Sequence, residues 1–476
     1  MRVVVEQDQP VDWLVVFLIL ESLDITESVE EMFKEVKGIA LKKTIKIYVL
    51  QDSIQHIKDP AGNRIDYRLK VHEFHYNEQQ KETRLKPVQL EGVDTKDGFA
   101  WREALKRIRL INKPRVSALI TWSHGAGIGI LNPDMVTNNT KPLVTQKPNA
   151  FNIVRNFPNR KQRFIPEKFN CSTMTMAGDA LIVNDPDNGD VQCHELQDLF
   201  ISEIADGLDD MGLAPVFDIM VMGNCNTQII DNCYNLNKIA RYYLAPITVM
   251  QPNGYDFDRF IKTINGDIFT NEKLMKAGKP VPKILAKRPP IMKGKYYNTY
   301  FNSIARLFLN GYVTINERLA KSAAIVVNDL KEILALKPMI NELCEYMVAN
   351  KAKIYPAIDA ILQEGTIVFS DKDFIDIVLL FDTIQQKVKN TGFNKIYSRL
   401  RKFLLKKITI EKHIGEELDA NSFHCFSIYI PVSVNNVIAP TFCCQYFRHF
   451  ANSQFVRETR WDNFVIDFTE WRLKRQ

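Results

Sequence analysis

"VFDIMVMGNCNTQ", residues 216 to 228, is an apolar run that ends in a glycine and delivers a cysteine, Cys225. A run this short, closed by turn-forming residues, predicts a strand buried on both faces, as in a parallel sheet. A second run of the same form, "VSALITWSHGAG" at residues 116 to 127, delivers His124. In an open α/β sheet, groups at the carboxyl ends of neighbouring strands project into one crevice, so residues about a hundred positions apart can face one bound molecule. An imidazole beside a thiol there forms a nucleophile with its proton-transfer partner. The plainer readings stay open on spacing alone: a turn histidine among glycines, and a buried thiol at a strand end.

Outward from these two runs the pattern alternates strand and helix. "WLVVFLIL" at residues 13 to 20 is followed by Val29, Met32, Phe33 and Val36 on one helical stripe, and then by an apolar run from Ile45 to Leu50. This is a βαβ unit, whose strands are parallel and whose crossover is right-handed. Ile65, Tyr67, Leu69 and Val71 alternate with polar residues, which predicts a half-exposed strand at the sheet edge. A helix over residues 97 to 110 precedes the His124 strand, a helix over Glu195 to Met211 precedes the Cys225 strand, and "YYLAPITVM" reads as the next strand. Residues 131 to 170 lack periodicity and read as a long functional loop. Beyond residue 300 long helical patterns dominate, broken near "GTIVFSDKDF" and closed by strand-like "FSIYIPV" and "NFVIDF". The organisation expected is a domain over 1–270, a basic linker over 271–298 and a mainly helical domain over 299–476.

Composition sets limits on function. The chain has 476 residues, 46% apolar and 25% charged, the balance of a folded soluble protein, with a net charge of +6 that does not argue for nucleic acid. Basic residues cluster at 141 to 168 and 273 to 295, without the interleaved aromatics of a nucleic-acid surface, and read as solvated loops. The amino-terminal apolar run is too short to span a membrane and follows Glu6, Asp8 and Asp12 rather than a basic leader, so no membrane partner and a cytoplasmic location are expected. Eight cysteines without CxxC spacing fit reduced thiols. His72, His75, His194 and His424 lack the company of metal ligands and read as structural. "NDPDNGD" at 184 to 190 carries the hard oxygens calcium prefers, but an ordinary acidic turn is the simpler account, and no cofactor is required.

Six segments, taken in order, resemble the clostripain-like cysteine peptidases, relatives of caspases, gingipains and separase. They are "DWLVVFLILESLDITESVEEM", "LITWSHGAG", "FDIMVMGNCNTQIIDNCYNL", "ARYYLAPITVMQPNGYDF", "FSIYIPV" and "TRWDNF". The resemblance implies a caspase-like α/β fold, a mostly parallel sheet flanked by helices, and a cysteine endopeptidase acting on protein or peptide substrates. It makes His124 and Cys225 the catalytic dyad, and Gly125 with Cys225 the oxyanion hole. It places Gly223, Asn224, Met250, Gly254 and Asp256 around the substrate pocket. Family members that cut after basic residues carry an aspartate two positions before the nucleophile; here that position is Gly223. A desolvated cation without a carboxylate partner binds poorly, so an uncharged residue before the cut is expected, unless Asp256 points into the pocket.

Relatives are commonly activated by cutting a loop between histidine and cysteine, and the segment around Arg155, Arg160, Lys161 and Arg163 has that character. The expectation is a regulated intracellular protease with few targets, its carboxyl-terminal part available to a regulatory partner. The competing reading is a caspase-fold scaffold that binds a partner and has lost catalysis.

Overall fold

The computed structural model describes residues 11–20, 23–57, 64–95, 100–126, 129–131, 151–154, 163–166, 174–177, 180–183, 199–251, 253–266, 283–286, 289–290, 294–364, 369–371, 374–430 and 453–475. The chain begins with β1 (Trp13–Leu20), α1 (Leu23–Lys37), β2 (Ile45–Ile57), β3 (Arg64–Asn77), β4 (Glu82–Pro87), α2 (Ala100–Asn112), β5 (Val116–Trp122), β6 (His124–Ala126) and β7 (Gly129–Leu131). Two antiparallel pairs follow, β8 (Phe151–Val154) with β9 (Arg163–Pro166), and β10 (Met174–Ala177) with β11 (Ala180–Val183). Next come β12 (Leu199–Phe200), α3 (Ile201–Leu208), β13 (Phe217–Gly223), α4 (Ile230–Asn235), β14 (Ala240–Pro246) and α5 (Phe257–Asn265). The remainder forms α6 (Lys295–Asn316), β15 (Ala324–Asp329), α7 (Leu336–Ala349), α8 (Lys351–Gln363), β16 (Phe369–Asp371), β17 (Phe374–Asp376), α9 (Ile377–Val388), α10 (Thr391–Phe403), β18 (Thr409–Ile414), β19 (Ser427–Tyr429), α11 (Gln454–Glu458) and α12 (Trp461–Leu473).

The central sheet runs β18-β15-β14-β13-β5-β1-β2-β3-β4. β2, β1, β5, β13 and β14 are parallel, and both flanks are antiparallel. The parallel strands are predominantly apolar, without an interruption in β1, because both of their faces are covered. Along β1 the odd positions Trp13, Val15, Phe17 and Ile19 join one core with α1, α5 and α6, while Leu14, Val16, Leu18 and Leu20 join another with α2, α3, α4 and the helices beyond β15. The period of two in a strand thus sorts the described helices onto one face or the other.

Four expectations change. The strand over 65–72 is not the sheet edge: β4, a short polar strand, pairs outside β3 and takes that place. The 131–170 stretch is not all loop, since Phe151–Val154 and Arg163–Pro166 are strands that pair with each other. "NFVIDF" lies in helix α12, where Trp461, Phe464, Val465 and Phe468 recur at helical spacing and are all buried. The 299–476 segment is not set apart by a break in the core, because it supplies β15 and β18 to the central sheet and α6 to the core that holds α1. Trp13 Nε1 donates to Tyr300 Oη at 3.1 Å and Tyr297 Oη donates to Asp218 Oδ1 at 2.6 Å, which ties α6 to β1 and β13. Residues 184–190 and His194 lie outside the described residues.

Candidate active site

Strands β5 and β13 are neighbours, and their register ends with Trp122 opposite Gly223. His124 and Cys225 each follow two residues later, so equal offsets from a matched pair bring both backbones out together at the carboxyl end of the sheet. The His124 segment continues as β6, paired with β7, which in turn pairs with β12. Gly125 lies opposite Ile130 in that small sheet, so His124–Ala126 is itself strand.

Cys225 sits at a sharp turn. Asn226 takes a left-handed backbone with φ +55° and donates its N–H to Thr248 O at 3.0 Å, which swings the chain across the end of β14. Thr227 Oγ1 donates to Asn224 O at 2.9 Å, and Thr227 O accepts from Asn232 Nδ2 and Tyr243 Oη, each at 2.8 Å. The carboxyl-terminal part closes the turn from behind: Ser427 N donates to Gln228 O at 2.9 Å, Gln228 Nε2 donates to Cys425 O at 3.0 Å, and Ile229 pairs with Ser427. The thiol is half-buried, with Met250 N donating to its Sγ at 3.2 Å and Met250 O accepting from it at 3.6 Å. A donor and an acceptor from one residue serve the sulfur both as thiolate and as thiol.

The expected pocket residues divide. Met250 touches the sulfur, and Gly254, with φ +61°, brings its backbone against the Trp122 ring, where a Cβ would meet Trp122 at 3.2 Å. Gly223 lies so close to β5 that a Cβ would meet Thr121 O at 2.8 Å. Asn224 is fully buried beneath the crevice, bonded to Ser123 O and to Thr121 Oγ1, so its side chain does not line a pocket. Asp256 does not point into the pocket either: its carboxylate caps α5 by accepting from Arg259 N at 2.9 Å. Burial pushes that carboxyl up from its ordinary value, against hydrogen bonding and attraction from Arg259. Arg155, Arg160 and Lys161 lie outside the described residues, and Arg163 opens β9 opposite Val154.

Two residues beside the crevice carry no signal in the sequence. Asn316, at the end of α6, donates its Nδ2 to Gly254 O at 3.1 Å and so holds the Gly254 turn. Tyr312, one helical turn earlier, is fully buried; burial, with the Cys225 thiol opposing ionisation and the Gln251 backbone favouring it, pushes its hydroxyl up to about 12. Both belong to a helix that reads only as apolar packing. A cavity of about 210 Å³ lined by Asn235, Lys238, Arg457 and Glu458 shares no residue with this crevice. Among the described residues no group of three His, Cys, Asp or Glu side chains is placed to hold a metal, and no helix is long and apolar enough to cross a membrane.

The family model for the clostripain family of peptidases matches residues 189–471, more than half of the chain. The chain belongs to the clostripain family. The match includes Cys225 and stops short of His124. A comparison with curated proteins finds no match. Among solved structures, the secreted C11 cysteine protease "iotapain" from Bacteroides thetaiotaomicron is similar over 96% of this chain and 100% of its own, with TM-score 0.52 and 12% identity. An inactive zymogen C11 protease from Parabacteroides distasonis is similar over 95% and 99%, with TM-score 0.53 and 10% identity. The protein is therefore a cysteine peptidase of caspase-like fold acting on peptide or protein substrates. The cytoplasmic location expected from the sequence is contradicted: the B. thetaiotaomicron protease of this fold is described as secreted.

Proposed function

We propose that the protein is an endopeptidase in which His124 and Cys225 form the catalytic dyad, acting on few protein targets and cutting after an uncharged residue. The observation that carries the dyad is the shared register of β5 and β13, which brings the two residues out side by side at the carboxyl end of the sheet. The Cys225 thiolate attacks the scissile carbonyl carbon, forming a C–S bond, while the Cys225 and Gly125 N–H groups receive the oxyanion. The His124 imidazolium then gives its proton to the leaving amine as the C–N bond breaks, and a water molecule deprotonated by His124 releases the acyl group. Met250 N–H aims the positive end of its dipole at the sulfur and so favours the anionic nucleophile.

The uncharged preference is supported by Gly223, which carries no side chain, and by Asp256, whose carboxylate is engaged in capping α5. Activation by cleavage between His124 and Cys225, near Arg155, Arg160, Lys161 and Arg163, fits the description of the P. distasonis relative as a zymogen. With an uncharged pocket, a self-inflicted cut falls at an uncharged residue of that interval. The deciding experiment is labelling with an irreversible thiol-directed peptide probe, which should modify the wild type and neither Cys225→Ala nor His124→Ala; equal labelling of Cys225→Ala would dismiss the dyad. Intact-mass measurement of wild type and Cys225→Ala after incubation tests processing, and identical unprocessed masses would remove it.

A further inference from the structure

We propose that Asn224 is a positioning residue, a staple that holds the His124 and Cys225 strand ends in register. The role rests on the dyad of the preceding section. The paired ladder of β5 and β13 ends at Trp122 and Gly223, one residue before Ser123 and Asn224 and two before the reacting groups. Ser123 N–H reaches Gly223 O at 3.4 Å, a long bond. Across the same gap Asn224 Nδ2 donates to Ser123 O at 3.0 Å, while its Oδ1 accepts from Thr121 Oγ1. The residue adjoining the nucleophile thus grips the backbone adjoining the histidine, and the grip is completely buried.

Only a side-chain amide can do both at this length: an ionised carboxylate has no donor for Ser123 O, a hydroxyl is too short, and an apolar group bonds neither. Ser123 O fixes which way the amide faces, because a carbonyl oxygen can only accept: it takes Nδ2 and leaves Oδ1 for the Thr121 hydroxyl. The turn after Cys225 is braced separately, through Asn226, Thr227 and Gln228. The staple therefore acts on the distance between the two strand ends rather than on the shape of either. A displacement of about 1 Å between reacting groups can cost roughly a hundredfold in rate.

The test compares full-length wild type with Asn224→Leu, Thr121→Val and the double variant, each near-isosteric with the residue it replaces. Melting temperature, kcat and KM on a peptide substrate, and the pH profile of Cys225 alkylation by iodoacetamide are measured for each. The expected result is a fall in kcat of about 10- to 100-fold for Asn224→Leu and about 3- to 10-fold for Thr121→Val, with KM within about twofold. The alkylation profile should move toward that of His124→Ala, and the double variant should resemble Asn224→Leu because both substitutions open one linkage. A lowered melting temperature with wild-type kcat, KM and profile in the folded fraction would show a structural role alone and overturn the proposal. Should Asn224→Leu not fold, Thr121→Val decides: wild-type kinetics and profile there also overturn it. Retained activity in Cys225→Ala or His124→Ala would instead sink the dyad, so the two failures are told apart.

Discussion

Restoring a carboxylate two positions before the nucleophile, with Gly223→Asp, should not convert this peptidase to arginine specificity. The ideal Cβ at 223 lies 2.8 Å from Thr121 O, about 0.6 Å inside ordinary contact, and the obstacle is backbone rather than the far end of a flexible side chain. The clash can be relieved only by opening β13 from β5 at the pairs Met222 with Thr121 and Gly223 with Trp122, the last two of the ladder. Overpacking of this kind costs about 1–3 kcal/mol, before any cost of burying the carboxylate. It also lands two residues from Cys225, so a shift of a few tenths of an ångström moves the nucleophile relative to His124, and a rate loss of roughly 10- to 100-fold follows. Melting temperature and kcat/KM on peptides differing only in the residue before the cut are the measurements. A lowered melting temperature, weaker cleavage of every peptide and no gain on arginine are expected. A variant as stable as wild type that cleaves the arginine peptide at least tenfold faster would refute the steric argument and the uncharged pocket together.

Asp256→Ala should lower stability by about 1 kcal/mol, the usual value of a helix N-cap, and leave the ranking of peptide substrates unchanged; a reordered ranking would return Asp256 to the pocket. Burial pushes the Asp218 carboxyl up from its ordinary 3.8, against hydrogen bonds from Tyr297 and Ser117 and attraction from Arg109. The folded chain therefore holds that proton more tightly than the unfolded chain, so this group's contribution rises as pH falls from the raised folded value toward 3.8 and is lost as pH climbs back through it. Unfolding free energies measured across that interval should lose this slope in Asp218→Asn, and parallel curves for the two proteins would count against it. Trp461→Ala removes a fully buried indole whose Nε1 donates to Tyr429 O at 2.8 Å, and should cost about 3–5 kcal/mol in denaturant titrations. A loss below 1 kcal/mol would contradict the packing of α12.

The five parallel strands were legible because burial on both faces writes itself as a mostly apolar run, unbroken in β1 and interrupted in β13 only by Asp218. The same physics hid β15: "AIVVND" is just as apolar, but it lies among helical patterns, and its partner β14 is far away along the chain. "NFVIDF" misled because a six-residue apolar window cannot separate a strand from a helix, and the deciding spacing needs Trp461 outside the window. His124 and Cys225 were legible as residues following two strand ends, whereas the linkage through Asn224 was not, since its partners Ser123 and Thr121 are fixed by strand register. Asp256 could have been read correctly, for an aspartate directly before an amphipathic run is an N-cap signal. The cytoplasmic expectation failed because it was drawn from one kind of leader, a feature unrelated to how the sheet folds.

The pairing of β14 with β15, and of β15 with β18, bears on how the chain is made. As a ribosome releases the polypeptide from its amino end, β14 emerges with one rim of backbone N–H and C=O groups bare, and it stays bare until Ala324–Asp329 follows. An open rim of that kind invites pairing with other chains, so the nascent peptidase is most exposed to aggregation during that interval of synthesis, and a pause there would lengthen the hazard.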